Sequence, residues 1–519
     1  MYLNILLKNK NLSLYKLSKL SGIPLTTLND LVNEKVDISK CNSKTIFALC
    51  KFLDIDINNL LSNEIELNKD FVTYKDYLNN ERLKGENMKT VNELLEFLNH
   101  SHSEYQAINN LKNLLIKNEF LELNEEVKWN LKEGKNYFVI KDYSSIIAFK
   151  IPKKIDTYHF QISAAHSDSP CFKLKNEDDI ISCGYNKINC ESYGGLILSS
   201  WLDKPLSIAG RVIVNNGNSI ETKLVDIDKD LLIIPNTCIH FNGSLNNGYI
   251  YNKNIDMVPI ISLGSEKNSI KKLLSKELNI KENEINSYDL YLYNRQLGVI
   301  GGENSEFIFS SKIDNLESSF LTMKGLINSK QNTSINVCAV FFNEETGSLT
   351  SNGADSTFLI DTLRRINYAF KKEEDLLPAL AKSFILSVDN AHAIHPNHPE
   401  LSDANSPVYL NKGIVIKNNS NMSYTTNAFT YSVVSKMCEK FSIPYQTFYN
   451  RNDIRGGSTL GAISSSHVSI YSCDIGLAQL AMHSSYEVAG ADDVNIMFNF
   501  MKNYFSSNIE IKDKKVTIK

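Results

Sequence analysis

Five short stretches of this chain set imidazole and carboxylate side chains at the ends of apolar runs. His166-Ser167-Asp168 follows YHFQISAA, with its two polar groups two residues apart and therefore on one face of an extended segment. Asp314 follows FIFSSKI and precedes Asn315, and Glu344-Glu345 lies just past CAVFF. Asp389 closes SFILSV, and His483 comes much later, in LAQLAMHSSYE. An HxD or an EE pair alone says little. Two His, several Asp and two Glu, each at the end of such a run, form a constellation able to hold metal. Oxygen and imidazole donors without thiolate suit hard-to-borderline divalent ions, zinc first, with manganese and cobalt also open.

The elements that must carry these side chains follow from periodicity. YFVIKDYSSIIAFKI, YHFQISAAHSDSP, SINVCAVFFNEETG and KSFILSVDNAHAIHPN read as strands, the last two as continuous apolar runs ending in acid. Buried parallel strands look like this, and sites in open α/β sheets lie at their carboxyl ends. Between about 172 and 297 the pattern shifts to shorter, Gly/Asn-punctuated strand candidates: GGLILSSWL, LSIAGRVIV and DLLIIPNTCIHF. We therefore expect an α/β catalytic domain over 87–171 and 298–519, interrupted by a β-rich domain over 172–297.

Residues 1–62 read as a separate all-α domain. Leu14, Leu17 and Leu20 lie in a run ending at Ser21-Gly22-Ile23-Pro24; Leu25, Leu28 and Leu31 follow at three-residue spacing. Ile46, Phe47, Leu49, Phe52 and Leu53 form a further apolar face, Gly22 fits an inter-helix turn, and Pro24 suits a helix's first turn. Residues 63–86 are charged and weakly patterned, the pattern of a linker, and a helix is expected from about Val91.

Composition sets the outer limits. The chain has 519 residues, 42% hydrophobic and 22% charged, with a net charge of −4. That is a globular composition and excludes a protein coating nucleic acid over its whole surface. No apolar stretch approaches the roughly 18–20 residues of a membrane span. Nine cysteines without a CxxC indicate neither a thiolate zinc cluster nor a disulfide framework. Reduced thiols and a cytoplasmic setting are the expectation.

HSDSPCFKLK, ESYGGLILSSWLDKPLSIAGRV, IPNTCIHFN, GGENSEFIFSSKIDNLESSF, FNEETGSLTSNGADS, DNAHAIHPN, GIVIKNN, RNDIRGGSTLGAI and QLAMHSSYE occur in this order. Together, over about 88–505, they resemble the aspartyl aminopeptidase/aminopeptidase I family of two-metal exopeptidases. The resemblance implies a zinc-exopeptidase-like α/β/α sandwich with an inserted dimerisation or lid domain. It implies one metal on His166, Asp314 and Asp389 and a second on Asp314, Glu345 and His483. Glu344 would be the general base, and Asp168 would orient His166 through its second ring nitrogen. Three further positions would meet substrate: His240, reaching a neighbouring subunit's site; His395; and Lys417, facing an acidic first side chain. Members of the family form dodecamers, so a homo-oligomer acting on peptides is implied, with no membrane. Acidic N-terminal residues are the expected substrates, and neutral ones remain open.

LYKLSKLSGIPLTTLNDLVNEKVDISKCNSKTIFALCKFLDIDINNLL resembles the Cro/repressor-type helix-turn-helix. It implies that the helix from Leu25 presents Thr26, Thr27 and Asn29 to a major groove. Residues 1–62 carry eight Lys against five Asp/Glu, and Asp30 and Glu34 lie on the reading helix itself. Partner docking or dimerisation by this module therefore stays open beside DNA binding. So does a regulator whose peptidase-like body senses peptides or metal.

Overall fold

The three N-terminal helices form where apolar residues recur on one face and where caps close their ends. They are α1 (Leu14–Ser21), α2 (Leu25–Val32) and α3 (Ser43–Leu53). The Ser13 hydroxyl caps α1 by accepting from the Lys16 N–H, and Gly22 ends it in the left-handed region at φ 70°. Pro24 occupies the cap position before α2 rather than its first turn. Leu17, Leu28, Leu31, Ile46, Leu49 and Leu53 build the core of this unit. Phe47 departs from the expected apolar face: it is 65% exposed, because i and i+1 positions of a helix point about 100° apart and Ile46 takes the inward one.

The computed structural model describes residues 3, 7, 12–33, 35–36, 38–53, 88–156, 158–264, 267, 269–454, 456–512 and 515–519, with backbone alone for 39, 64–67, 70–73 and 177–178. The chain divides into two units, Met1–Lys89 and Thr90–Lys519. Within the stretch read as a linker, Glu64–Leu67 and Asp70–Thr73 pair antiparallel.

The larger unit is built on a nine-stranded sheet. Its strands in chain order begin with β1 (Leu121–Leu123), β2 (Asn136–Lys141), β3 (Ser145–Lys150) and β4 (Phe160–His166). Six strands of a second sheet intervene: β5 (Cys171–Ser182), β6 (Tyr185–Tyr193), β7 (Leu206–Asn216), β8 (Ser219–Asp226), β9 (Ile260–Leu263) and β10 (Ile285–Asn294). The first sheet then resumes with β11 (Ile335–Phe341), β12 (Phe384–Val388), β13 (Ile414–Asn418), β14 (Tyr445–Tyr449) and β15 (Tyr471–Gly476). The spatial orders are β14-β13-β15-β12-β4-β11-β3-β2-β1 and β8-β7-β10-β5-β6-β9. In the centre of the larger sheet β15, β12, β4 and β11 run parallel, with Phe341 opposite His166. Their carboxyl ends therefore open on one edge.

Strand side chains alternate between two cores, which makes the large unit an α/β/α sandwich. Cys338, Val340, Leu386 and Ile475 pack with α4 (Glu104–Lys117), α5 (Ile313–Asn328), α7 (Ala428–Lys440) and α9 (Ala491–Ser506). Val337, Ala339, Ile162 and Ile385 pack on the opposite side with α6 (Phe358–Ala369) and α8 (Leu460–Val468). The six-stranded sheet has its own core, including Ile188, Ile208, Val212, Leu290 and Trp201.

Two expected strands are not formed. GGLILSSWL is a loop followed by a 3-10 turn at Leu198–Trp201, opened by Gly194 at φ 71°. DLLIIPNTCIHF makes only isolated bridges, Leu206 to Leu232 and Ile233 to Ile260. Pro235, which has no N–H to give a ladder, follows directly. No helix among the described residues is long and apolar enough to cross a membrane.

Candidate metal and active site

Five chain segments bring the chemistry to one place. His166 is the last residue of β4; Glu344 and Glu345 form a single 3-10 turn just past β11; Asp389 follows β12. Asp314 sits in the first turn of α5, where φ −80°, ψ 108° takes it out of helical geometry. His483 lies beyond β15 at φ 69°.

The spacing of ligand atoms falls into two groups that share one carboxylate. His166 Nε2 lies 3.6 Å from Asp314 Oδ1 and 3.6 Å from Asp389 Oδ1. His483 Nε2 lies 3.5 Å from Asp314 Oδ2 and 3.5 Å from Glu345 Oε2. These separations exceed a good hydrogen bond. Ligands about 2.0–2.2 Å from a tetrahedral ion stand roughly 3.3–3.6 Å from one another, and both groups match that value. Asp314 Oδ1 is buried and has no hydrogen-bond partner, an expensive condition for a carboxylate oxygen unless a cation meets it. His166, Asp314 and Glu345 offer ligand atoms all within 4.8 Å of one another. The donor set thus fits two divalent ions bridged by Asp314.

Surrounding groups fix each ligand. The His166 ring places Nδ1 3.1 Å from the Asp168 carbonyl and 3.5 Å from its carboxylate. The Asp168 carboxylate itself accepts the N–H groups of Glu344 (3.2 Å) and Glu345 (3.1 Å) and the Tyr193 hydroxyl (2.8 Å). His483 donates from Nδ1 to the Gly195 carbonyl at 2.8 Å, which leaves Nε2 as the lone-pair nitrogen. Glu487 accepts the N–H of His483 on one oxygen (2.8 Å) and that of Asp314 on the other (3.1 Å).

Crowded acids dominate the electrostatics. Burial, reinforced by Asp389, Asp168 and Asp314, pushes the Glu344 carboxyl up to about 8. Burial and Asp314 hold Glu345 and Glu487 well above the carboxylate range. Burial alone would lower the His166 ring, but Asp168 and Asp389 outweigh it and raise it well above its ordinary value. Asp389 goes the other way: burial would raise it, and Lys417 and His166 bring it far down.

Lys417 corrects an expectation. It is 2% exposed, neither a surface lysine nor a free ammonium awaiting a substrate carboxylate. Its three donors go to the Asp389 carbonyl (2.9 Å), the Asn390 carbonyl (3.0 Å) and Asp389 Oδ2 (3.3 Å). Held by one oxygen, Asp389 turns the other to His166. The resemblance implied a lysine facing the substrate's acidic side chain; β13 is buried at four consecutive positions through Lys417, and the ammonium lies under the ligand Asp389.

His395 is exposed, ring to ring with His398 at 5.2 Å, and its Nδ1 accepts the Asn397 N–H; no ligand-bearing acid is among these contacts. The same motif carries His392, which sequence reasoning passed over. Its ring is lowered first by burial and then by Lys417, with Asp314 and Asp389 acting on it, so it stands beside the ligands. His240 is exposed in an irregular stretch between Ile239 (48% exposed) and Phe241 (88%). Thr26 and Asn29 are exposed on α2, with Thr27 half-buried. Glu487, Tyr193 and Gly195 were also missed, because an acceptor for a backbone N–H and a carbonyl for an imidazole leave no trace in residue type.

Known proteins resemble the chain over most of its length. The sequence profile described as Aminopeptidase I zinc metalloprotease (M18) matches residues 97–505, and one described as Cro/C1-type HTH DNA-binding domain matches 2–64. The chain is 41% identical over 428 residues to the Probable M18 family aminopeptidase 2 of Clostridium novyi (strain NT), covering 81% of this chain and 99% of that protein. It is 37% identical over 463 residues to the Aspartyl aminopeptidase of Dictyostelium discoideum, covering 80% and 95%. Among solved structures, the S. cerevesiae mApe1 dodecamer superimposes with a TM-score of 0.71 at 25% identity, over 80% of this chain and 96% of that one.

Proposed function

The chain belongs to the aminopeptidase I zinc metalloprotease (M18) family, a metal-dependent aminopeptidase, and on that premise we propose how its residues divide the work of removing one N-terminal residue from a peptide. The carrying observation is the Asp314 carboxylate: each of its oxygens lies 3.5–3.6 Å from a different imidazole, and each imidazole lies 3.5–3.6 Å from a further carboxylate. His166, Asp389 and Asp314 would hold one zinc, and His483, Glu345 and Asp314 the other. Bound there, the pair would polarise the scissile carbonyl and bring the pKa of water towards about 7. Glu344 takes the proton of the attacking water on its carboxylate and returns it to the leaving amine. His392, whose ring feels the Asp314 and Asp389 charges, would donate to the substrate.

Acidic first residues are the proposed preference, supported by the Dictyostelium aspartyl aminopeptidase. Assembly into a homo-oligomer, with a dodecamer as the finer form, is supported by the yeast neighbour. It is supported also by apolar surface on the inserted sheet and its connections: Phe241, Ile250, Ile255 and Leu263 are 73–89% exposed. Nine cysteines without a CxxC support a reducing, cytoplasmic setting. Glu344→Gln tests the reading: turnover of Asp- and Leu-aminoacyl substrates should fall at least ~100-fold with zinc content unchanged. Undiminished turnover would remove Glu344 from the mechanism.

The helix-turn-helix match, with Thr26 and Asn29 exposed on α2, favours a second activity in the same chain, DNA binding by residues 2–64. Footprinting on the upstream region of its own gene at low salt should show protection that Asn29→Ala removes. No protection would leave the module as a protein-docking or dimerisation domain.

A further inference from the structure

We propose that Tyr193–Ile197, the segment leaving the six-stranded sheet at the end of β6, is a positioning strap for the side of the site made by Glu344, Glu345 and His483. The inference rests on the two-metal aminopeptidase reading and deepens it: part of the inserted sheet orients the general-base turn and one metal ligand.

Tyr193 also meets Tyr291 of β10 edge to face, with centroids 5.7 Å apart, but the strap's other contacts run to that side. The Tyr193 hydroxyl donates to Asp168 Oδ2 at 2.8 Å, and Asp168 passes the constraint to the N–H groups of Glu344 and Glu345. The Tyr193 ring stacks on Phe342, two residues before that turn, with centroids 6.1 Å apart and planes 8° from parallel. Gly194, at φ +71°, passes so close to Glu345 that an added Cβ would stand 3.1 Å from the Glu345 Cβ. The Gly195 carbonyl accepts the His483 Nδ1 proton, and the Ile197 N–H donates to the His483 carbonyl at 3.1 Å. Ser200 continues the seam, its hydroxyl accepting the Ser485 N–H at 2.9 Å. A strap that only closed a loop has no need to choose the imidazole tautomer. This one does, because Nδ1–H on Gly195 directs the Nε2 lone pair at Asp314 and Glu345.

Groups that orient a ligand of this kind change metal affinity or activity roughly 10–100-fold when removed. Tyr193→Phe deletes one hydroxyl and keeps the stacked ring; Gly194→Ala presses a methyl against Glu345 at a φ that alanine disfavours. The test is zinc uptake by the metal-free full chain in competition with a chromogenic chelator, read beside kcat, KM and the melting temperature. In both variants one of the two zinc-binding steps should weaken about 10-fold or more while the other stays within about threefold. kcat should fall more than KM rises, and Tyr193→Phe should melt within a few degrees of wild type. Two unchanged zinc steps and unchanged kcat in Tyr193→Phe would overturn the strap. So would two steps weakened together with a large loss of melting temperature, the mark of general loosening. Glu344→Gln run in parallel separates failure of the chemistry from failure of the strap. If it keeps turnover, the general-base role of Glu344 has failed; if it is inactive while the strap variants behave as wild type, only the strap has.

Discussion

Replacing Lys417 by Met separates two roles for the one lysine beneath the site. Methionine keeps most of the volume and the unbranched stem but removes the ammonium. Asp389 Oδ2 and the carbonyls of Asp389 and Asn390 then lose the donor that meets them at 2.9–3.3 Å, in a place 2% exposed. Breaking a buried ion pair on one side costs about 3–5 kcal/mol, and the Asp389 carboxylate, deprived of Lys417, is driven up from its depressed pKa. Loss of a fixed ligand should cut kcat/KM roughly 10–100-fold. The loss should be equal for Asp- and Leu-aminoacyl substrates, because the ammonium acts through Asp389. Urea unfolding and kcat/KM for the two substrates at saturating zinc measure both effects. A charge-assisted bond from Lys417 to the substrate, worth about 1.5–3 kcal/mol, would instead lower the Asp-over-Leu ratio roughly 10–150-fold. Such a fall, with stability untouched, would refute the assignment of Lys417 to Asp389.

Two further outcomes are expected. Glu317 is buried with Oε1 unpartnered, and burial lifts its carboxyl to about 8 from 4.5. Its contribution to stability is therefore full below about pH 4.5 and is lost as pH rises through about 8, by at most about 5 kcal/mol. Glu317→Gln, always neutral, should gain on wild type in urea unfolding between pH 5 and pH 9, and parallel pH profiles would count against it. Gly476 lies so near β12 that an added Cβ would stand 1.9 Å from the Asp389 carbonyl oxygen. Gly476→Ala should cost about 1–3 kcal/mol by overpacking and lower activity through Asp389, and an unchanged melting temperature and kcat would contradict that close approach.

The sequence alone determined the strands that carry chemistry and the residue types at their ends. Apolar runs such as SINVCAVFF and SFILSV have one low-energy fate, burial on both faces of a parallel sheet, and their polar ends must then emerge at one edge. The same logic made α1 to α3 legible from leucine spacing and from Gly22. What tertiary structure decided was direction and partner. The resemblance made Lys417 a candidate for substrate, and only the fold showed its ammonium spent on Asp389. GGLILSSWL has the apolarity of a strand, but its backbone groups are taken by His483, which lies 288 residues from Gly195 along the chain. His392 and His395 are three residues apart and alike in type; only the fold sets the first beside Asp314 and the second in an exposed turn. Contacts made by backbone N–H and C=O groups, such as those of Glu487 and Gly195, are open to every residue type. Sequence is silent about them, and the positions of neighbouring chain segments decide them.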